Sequence, residues 1–393
     1  MAPLINYLEG EPRFDVKICV TAQHREMLDQ VLSLFNLIPD YDLDIMQSGQ
    51  TLGGITRRSL AGLEEIYITE RPDIVLVHGD TTTTLAGALA AYYHEIAVAH
   101  VEAGLRTGDK YRPYPEEMNR HLTGVLADLH FAPTEKAGEN LKAENIPADK
   151  IFITGNTVID ALLAVVNNRK RTPLERELKL VDEGARKQKE LMQLLLQREQ
   201  EELQPGPRDN PVLLVTAHRR ENIGQPMEEI CKALLRLNRK IRGLKIIFSV
   251  HLNPRVRNTI TEMLAGTEGI YLIEPPGYGP FAHLMQNSDL ILTDSGGIQE
   301  EAPALGKPVL VMREVTERPE AVEAGTARLV GTEANRIIDE VKELLENPAA
   351  YRKMSRAVNP YGDGLACRRI YQALLCFFDP GENRPENFDL KQQ

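Results

Sequence analysis

The chain has 393 residues, 42% of them hydrophobic and 26% charged, which excludes a wholly disordered protein and suggests two domains. The net charge of −11 argues against a dedicated nucleic-acid-binding protein, although local arginines can still bind an anionic small molecule. Neither a membrane-spanning segment nor a signal peptide is predicted. The four widely spaced cysteines are typical of unpaired thiols in a cytoplasmic protein, and they indicate neither disulfides nor a zinc site.

The first 168 residues predict alternating strands and helices. Short apolar runs predict strands at 16–21, 74–78, 97–101, 129–132 and 151–154, with helices at 25–35, 83–93 and 116–127. This alternation is typical of a parallel sheet covered by helices on both faces. We therefore predict a Rossmann-like domain over residues 1–168.

A second alternating series begins at residue 211. Strands are predicted at 212–216, 245–250, 270–273, 290–293 and 308–311, with helices at 227–241 and 253–265. This series predicts a second Rossmann-like domain over residues 211–354, so that the α/β fold has two domains facing a cleft where a ligand binds. A C-terminal helix within 355–380 is expected to pack back on the first domain.

Residues 169–210 differ from the rest of the chain and are predicted to be a helical insertion or linker. The segment 187–202 is rich in strong helix formers, and Pro205-Gly206-Pro207 predicts its end. We expect an accessory helix at the interdomain junction that is solvated or packed on itself. A helix that binds a partner protein is the alternative.

Three acidic residues, Asp80, Glu102 and Glu116, lie in dense polar motifs. Asp80 and Glu102 closely follow apolar strands, whose carboxyl ends are where ligands bind in open α/β sheets. Neighbouring carboxylates can have very different pKa values, which suits acid–base catalysis. The alternative is that each acid only caps a helix. Their clustering beside histidine and arginine favours a catalytic role.

The string Asp294-Ser295-Gly296-Gly297 follows a predicted strand and opens a helix. Free amides at a helix start bind phosphate, and glycines allow the ligand to approach the backbone closely. Glu301 lies about one turn later, where its carboxylate can accept hydrogen bonds from a ribose. The alternative is a tight turn in which Ser295 is an ordinary helix cap.

Further candidate ligand contacts follow other strands of the second half. His218 and Arg219 lie at the end of the first of these strands. The guanidinium group of an arginine can bind two oxygens of a diphosphate at once. His251 ends the next strand, and Phe281 is a candidate for stacking on a base or for core packing. A P-loop motif is absent, and no spacing typical of a metal site stands out.

Several of these strings together resemble one family. HGDTTTT, HVEAGLRTGDKYRPYPEEMNR, TAHRRENIG, DSGGIQEEAPALGKPVLVMR and NPYGDG resemble motifs of the non-hydrolysing bacterial UDP-N-acetylglucosamine 2-epimerases. The resemblance covers nearly the whole chain except residues 170–210. It implies the glycosyltransferase-B fold and a cytoplasmic homodimer that needs neither metal nor another cofactor. The implied reaction interconverts UDP-N-acetylglucosamine and UDP-N-acetylmannosamine for cell-envelope polysaccharides.

The resemblance also implies roles for individual residues. Proton transfer and charge stabilisation at the sugar ring are assigned to Asp80, Glu102 and Glu116, with base and acid left unassigned. His218 matches the histidine that contacts the diphosphate and supports departure of UDP. UDP binding involves Arg219, Phe281, Ser295, Gly296, Gly297 and Glu301. An activator region is matched by Gln23, Gln50 and His251, although Glu26 and Gly49 depart from the family pattern there.

One departure concerns the start of the chain. Family members open with a strand and a Gly-Thr-Arg-Pro-Glu loop, whereas this sequence begins at Met1-Ala2-Pro3-Leu4, within the first helix. We therefore expect a truncated reading of a longer gene product, with the N-terminal strand missing beside the one that ends at His78. If the sequence is the entire product, weak or absent activity is expected.

Other functions remain open at this point. A UDP-sugar glycosyltransferase of the same fold would share the nucleotide-binding motifs, although the acid cluster favours an epimerase. A hydrolysing epimerase and an inactive nucleotide-sugar-binding remnant are further alternatives.

Overall fold

A computed structural model describes residues 1–23, 25–168, 178–181, 184–200 and 208–389, apart from the side chains of Ala185 and Gln200. The chain divides into two compact units: Met1–Ala161 together with Tyr361–Gln393, and Leu162–Pro360. Each unit contains parallel strands and helices, which confirms the predicted α/β class. None of the helices in these ranges is both long and apolar enough to cross a membrane.

The first unit has a four-stranded parallel sheet in the order β3-β4-β5-β6 and a separate parallel pair, β1-β2. The strands are β1 Cys19–Val20, β2 Tyr41–Asp42, β3 Ile74–His78, β4 Ala97–Val101, β5 Leu129–Ala132 and β6 Ile151–Ile153. The strand predicted at 16–21 is reduced to two residues. One reason is that the amide of Ile18 donates to the carboxylate of Asp40 (2.7 Å) instead of joining a ladder.

The helices of this part of the chain are α1 Ala2–Glu9, α2 Arg25–Phe35, α3 Leu52–Glu70, α4 Thr82–Tyr93, α5 Glu116–Leu126, α6 Glu135–Ala143 and α7 Thr157–Asn167. The C-terminal helix Ala366–Phe378 packs with α1 over the sheet, in a core that includes Leu4, Phe131 and Leu374. The chain after this helix reaches the edge of the sheet, where the amide of Phe388 donates to the carbonyl of Ile153 (2.7 Å).

The second unit contains a six-stranded parallel sheet in the order β12-β11-β10-β7-β8-β9. Its strands are β7 Val212–Ala217, β8 Lys245–Val250, β9 Ile270–Ile273, β10 Leu290–Thr293, β11 Val309–Val311 and β12 Ala327–Leu329. The chain builds β7, β8 and β9 outward on one side, then returns to place β10 on the other side of β7. This reversal is a topological switch point, and open α/β sheets bind ligands at the carboxyl ends of the strands there.

The helices that follow are α8 Ala185–Gln200, α9 Gln225–Lys240, α10 Pro254–Leu264, α11 Tyr278–Asn287, α12 Gly296–Ala304, α13 Pro319–Glu323, α14 Ala334–Glu346 and α15 Pro348–Ser355. The hydrophobic cluster around β7, β8 and β10 is almost entirely aliphatic, and among the described residues Phe248 is its one fully buried aromatic side chain. Strands β8 and β10 have the predicted bounds because each centres on an apolar run, Ile246-Ile247-Phe248 and Leu290-Ile291-Leu292, respectively.

Helix α8, which lies in the predicted insertion, packs within the second unit, although its polar composition suggests a solvated helix. Helix α8 buries Leu191 and Leu195, which lie four residues apart on one face. Its Arg198 lies 3.0 Å from the buried carboxylate of Asp289 in the second unit. Just before the helix, the amide of Val181 donates to the carbonyl of Leu272 at the edge of β9 (2.8 Å). The expectation of a solvated or self-packed helix is therefore wrong. The predicted stop at Pro205-Gly206-Pro207 lies outside the described residues.

Candidate active site

Two of the predicted catalytic acids lie at the carboxyl end of the strands in the first sheet. Strands β3 and β4 are parallel neighbours, with His78 opposite Val101, so the residues that follow them emerge side by side. Asp80 follows β3 after Gly79, and Glu102 follows β4 directly. Glu102 has a backbone φ of 62°, a conformation that is strained for a non-glycine residue and that is often found at functional sites.

Arg120 on α5 links these two acids. Its guanidinium lies 2.5 Å from Oδ2 of Asp80 and 4.0 Å from Oε2 of Glu102. It also donates a hydrogen bond to the main-chain carbonyl of Glu102. The side chain of Arg120 is buried, so these charge-assisted contacts are only weakly screened by solvent. Sequence reasoning did not select Arg120, although it lies within the motif that contains Glu116.

Glu116, the third predicted acid, is the first residue of α5. It precedes Arg120 by four residues and therefore lies on the same face of the helix. Its Oε2 atom is buried and has no hydrogen-bond partner among the described residues. Buried carboxylate oxygens without a hydrogen-bond partner are uncommon in folded proteins. They are often explained by ligand binding or by a catalytic role. The neighbouring Glu117 instead binds the amides of Thr107 and Gly108.

Two histidines beside the acids are held in the neutral form. Burial lowers the pKa of His78 well below its usual value, and its Nε2 lies 3.5 Å from Oε2 of Glu102. Burial also lowers the pKa of His100 to about 3, while its Nε2 lies 2.7 Å from the carbonyl of Gly79. Among the described residues, Arg120 is the cation that contacts both Asp80 and Glu102.

In the second unit, His218 follows β7 and Asp294 follows the adjacent strand β10. The Nδ1 atom of His218 lies 2.9 Å from Oδ1 of Asp294. Burial would raise the pKa of Asp294, but hydrogen bonds from His218 and the backbone amide of Arg219 outweigh it, so this pKa is lowered. Asp294 was not selected from the sequence. The sequence does contain a signal for Asp294, because this acid directly follows a buried apolar strand, as Glu102 does.

The predicted phosphate-binding turn lies beside this pair. Ser295 is the N-cap residue of α12, but its hydroxyl makes no capping hydrogen bond, which argues against the alternative of an ordinary capping serine. A Cβ atom on Gly296 would lie 3.8 Å from the guanidinium of Arg219, whereas Gly297 faces open space. The helix start, with its unsatisfied amides and positive dipole end, therefore lies next to an arginine, as an anion site requires.

Glu301 is buried within α12, and its Oε1 accepts a hydrogen bond from the hydroxyl of Tyr278 (2.7 Å). Burial raises the pKa of Glu301 to about 7, although the hydrogen bond from Tyr278 acts in the opposite direction. Phe281 lies on α11 three residues after Tyr278 and is half-buried. Tyr278 was not selected from the sequence, because only the folded chain brings it to Glu301.

The three candidate activator residues do not all belong to one unit. In the first unit, Oε1 of Gln23 accepts a hydrogen bond from Thr83 (3.0 Å), and Oε1 of Gln50 accepts one from Arg58 (2.7 Å). In the second unit, the ring of His251 stacks on that of His218 at a centroid distance of 6.0 Å. The activator role of these residues stays a prediction.

No group of three or more His, Cys, Asp or Glu side chains is arranged to hold a metal ion in the ranges that the structure describes.

Residues 6–375 match the model of a protein family described as UDP-N-acetylglucosamine 2-epimerase. The chain belongs to this family. It is 55% identical to the UDP-N-acetylglucosamine 2-epimerase of Salmonella typhimurium, over 96% of this chain and 95% of that protein. It is 49% identical to the enzyme of the same name from Bacillus subtilis, over 99% and 94% of the two chains.

Solved structures of family members have the same fold. A putative UDP-N-acetylglucosamine 2-epimerase from Listeria monocytogenes superposes with a TM-score of 0.87 and 46% identity, covering 99% of this chain and 95% of that one. The Neisseria meningitidis UDP-GlcNAc 2-epimerase, solved with bound UDP-GlcNAc, superposes with a TM-score of 0.77 and 49% identity, covering 95% of each chain. The glycosyltransferase-B-like fold expected from the sequence is therefore confirmed.

Proposed function

We propose that this protein interconverts UDP-N-acetylglucosamine and UDP-N-acetylmannosamine by inverting C2 of the sugar. The hydrogen on C2 is not adjacent to a carbonyl, so simple enolisation cannot remove it. Loss of UDP from C1 together with the C2 proton instead forms a C1=C2 double bond, and the leaving UDP takes the electrons of the C1–O bond. Protonation of C2 on the opposite face and return of UDP to C1 complete the inversion.

The observation that carries this proposal is the cluster of acids around Arg120. Elimination and re-addition require a base on one face of the ring and an acid on the other. Asp80 and Glu102 are both held by Arg120, and Glu116 lies one helical turn before it with an unpaired, buried oxygen. We propose that these carboxylates exchange protons with C2 and stabilise positive charge that develops on the ring.

The second unit supplies the groups that suit UDP. We propose that Arg219, His218 and the start of α12 at Ser295, Gly296 and Gly297 bind the diphosphate, because guanidinium, imidazole and helix amides all favour a negative charge. Glu301 then binds the ribose hydroxyls, and Phe281 lies beside the nucleobase of UDP. Stabilising the departing UDP anion with preorganised donors lowers the barrier to cleavage of the C1–O bond.

The acid cluster is tested with three variants that keep side-chain volume: Asp80→Asn, Glu102→Gln and Glu116→Gln. Conversion is followed chromatographically from either UDP-sugar, and UDP binding is measured by calorimetry. Because proton transfer contributes roughly 100- to 10,000-fold in rate, we expect kcat to fall by at least about 100-fold in a variant that loses the base or the acid. UDP binding should stay within a few-fold of wild type. Full activity in all three variants would refute the proposal.

We also propose that the protein is a homodimer that associates through α4 and α5, which pack side by side. Met118, Leu122 and Val125 form an exposed apolar stripe on α5, and Val125 is 78% exposed. Exposed apolar patches of this kind often mark protein interfaces. The double variant Leu122→Glu, Val125→Glu should be monomeric by light scattering. Ile38→Glu is the control, because Ile38 is also exposed but lies outside both helices. If the double variant remains as dimeric as this control, α4 and α5 do not form the dimer interface.

A cytoplasmic location is part of the same proposal. All four cysteines are unpaired thiols, and Cys231 and Cys367 are buried, which suits a reducing compartment.

A further inference from the structure

The carboxylate of Asp294 is fully buried and accepts hydrogen bonds from several fixed donors. Its Oδ2 accepts from the amides of His218 and Arg219 (both 2.9 Å) and from the side-chain Nδ2 of Asn222 (2.9 Å), and the His218 amide also reaches Oδ1 (3.1 Å). The two amides belong to the backbone at the end of β7, so this carboxylate cannot rotate without losing them. Its other oxygen, Oδ1, is thereby directed at Nδ1 of His218, 2.9 Å away.

This geometry determines which nitrogen of His218 carries a hydrogen. An ionised carboxylate can only accept, so the ring nitrogen that faces it must donate. The lowered pKa of Asp294 keeps it ionised at neutral pH. Nδ1 of His218 therefore keeps its hydrogen whether the ring is neutral or cationic, and Nε2 is the nitrogen at which a proton is gained or lost.

The surroundings of the ring are consistent with a ligand-facing role for Nε2. The His218 side chain is 39% exposed, whereas Asp294 has no exposed surface. The ring of His251 stacks on that of His218, and the guanidinium of the next residue, Arg219, lies beside Gly296. The pair lies where β7 and β10 meet, at the switch point of the sheet.

We propose that Asp294 is a positioning residue that fixes the tautomer of His218 and presents Nε2 to the diphosphate of the departing UDP. This inference rests on the proposed function for the role of the diphosphate, but the tautomer itself does not depend on it. When the ring is cationic, Nε2–H donates to a phosphate oxygen as the C1–O bond breaks. Nδ1–H stays on Asp294 throughout, so no proton moves to the aspartate.

The first test measures the tautomer in wild-type protein, using histidine labelled with ¹⁵N and two-bond ¹H–¹⁵N correlation at a pH where the ring is neutral. The His218 signals are those that disappear in His218→Gln. We expect Nδ1 to be protonated and Nε2 to have the shift of an unprotonated nitrogen. The opposite tautomer in wild-type protein would overturn the proposal, with no variant required.

The second test uses Asp294→Asn. The amide of Arg219 and the side chain of Asn222 donate to Oδ2 alone, so an oxygen is favoured at that position. The new NH₂ group should then face Nδ1 of His218 and convert it into an acceptor. We expect the tautomer to invert. The ring then offers Nε2–H only as a neutral imidazole, because the carboxylate that supports a cationic ring is gone, and it no longer brings a positive charge to the departing diphosphate. We therefore expect kcat to fall by about 100-fold, the lower end of what acid–base groups contribute. KM for UDP-N-acetylglucosamine should change only a few-fold.

Asp289→Asn is the matched control. Asp289 is also buried, precedes the same strand β10, and accepts a hydrogen bond from a backbone amide, that of Val212 (2.7 Å). It lies at the opposite end of the strand, about 16 Å away at about 3.3 Å per residue. Its variant should lose stability but keep the tautomer and kcat. If Asp294→Asn keeps the wild-type tautomer, or loses no more activity than this control, Asp294 does not position His218. If wild-type protein has no epimerase activity, the proposed function fails while the tautomer measurement still decides the role of Asp294.

Discussion

Replacing Glu301 with glutamine should stabilise the ligand-free protein at alkaline pH. Glu301 is buried and its pKa is raised from 4.5 to about 7. Between these two values the unfolded chain ionises this carboxyl and the folded one does not, so stability falls as the pH rises through this window. At about 1.4 kcal/mol for each pH unit, the loss is about 3 kcal/mol at pH 8 and less than about 1 kcal/mol at pH 5.

Glutamine resembles the protonated carboxyl and can still accept the hydrogen bond from Tyr278. Glu301→Gln should therefore raise the free energy of unfolding by about 3 kcal/mol at pH 8 and by less than about 1 kcal/mol at pH 5. For a unit of about 200 residues, the pH 8 gain corresponds to a rise in Tm of about 6–12 °C. The stability gain should come with weaker UDP binding, because the ribose loses a charged acceptor.

The assay is thermal unfolding of both proteins at pH 5 and pH 8 without nucleotide, with the transition of the second unit identified by hydrogen exchange of peptides from its sheet. Comparing variant with wild type at each pH cancels the titration of all other groups. Tyr278→Phe is the opposing control, since it removes the donor that lowers the pKa of Glu301 and should make stability depend more steeply on pH. An equal effect of Glu301→Gln at both pH values would refute the reasoning, because it would mean that Glu301 ionises normally in the folded protein.

Two further predictions concern packing. Gly104 has φ of 86°, and a Cβ there would lie 2.2 Å from the carbonyl oxygen of Ala137, so Gly104→Ala should cost about 2–5 kcal/mol from backbone strain and overpacking together. Gly108→Ala, with φ of 79° and open space around it, should cost only about 1–2 kcal/mol, and equal losses in urea denaturation would show that the clash is absent. Leu195→Ala should destabilise the second unit by about 2–5 kcal/mol because the side chain is buried against it, whereas the exposed Leu196→Ala should change stability by about 0.5 kcal/mol or less. A negligible effect of Leu195→Ala would contradict the packing of α8 in that unit.

The sheet architecture was accessible from the sequence because buried parallel strands are continuous apolar runs. Ile74–His78 and Lys245–Val250 have the predicted bounds because they centre on such runs, Ile74-Val75-Leu76-Val77 and Ile246-Ile247-Phe248. Short strands such as Tyr41–Asp42 were missed, because two residues are too few to show the hydrophobic pattern of a strand. The environment of α8 was also missed, because propensity identifies a helix but does not reveal that Arg198 neutralises a buried acid 91 residues away.

The candidate site was only partly predictable for a similar reason. Asp80 and Glu102 could be selected because each closely follows an apolar strand. Arg120, which joins them, lies on a helix 40 residues after Asp80, and a single sequence contains no record of that contact. Asp294 could have been selected by the rule used for the other acids, but its function depends on which donors surround it. Such relations arise only when the folded chain brings these side chains together.

The central claim is that C2 of the sugar loses its hydrogen during the reaction. The most direct measurement is NMR of the purified protein with UDP-N-acetylglucosamine in D₂O, following the C2 and anomeric signals. Glycal formation predicts that deuterium from the solvent appears at C2 while UDP-N-acetylmannosamine accumulates. Conversion to the manno sugar with the original hydrogen retained at C2 would contradict the account, and so would transfer of the sugar to an acceptor without exchange.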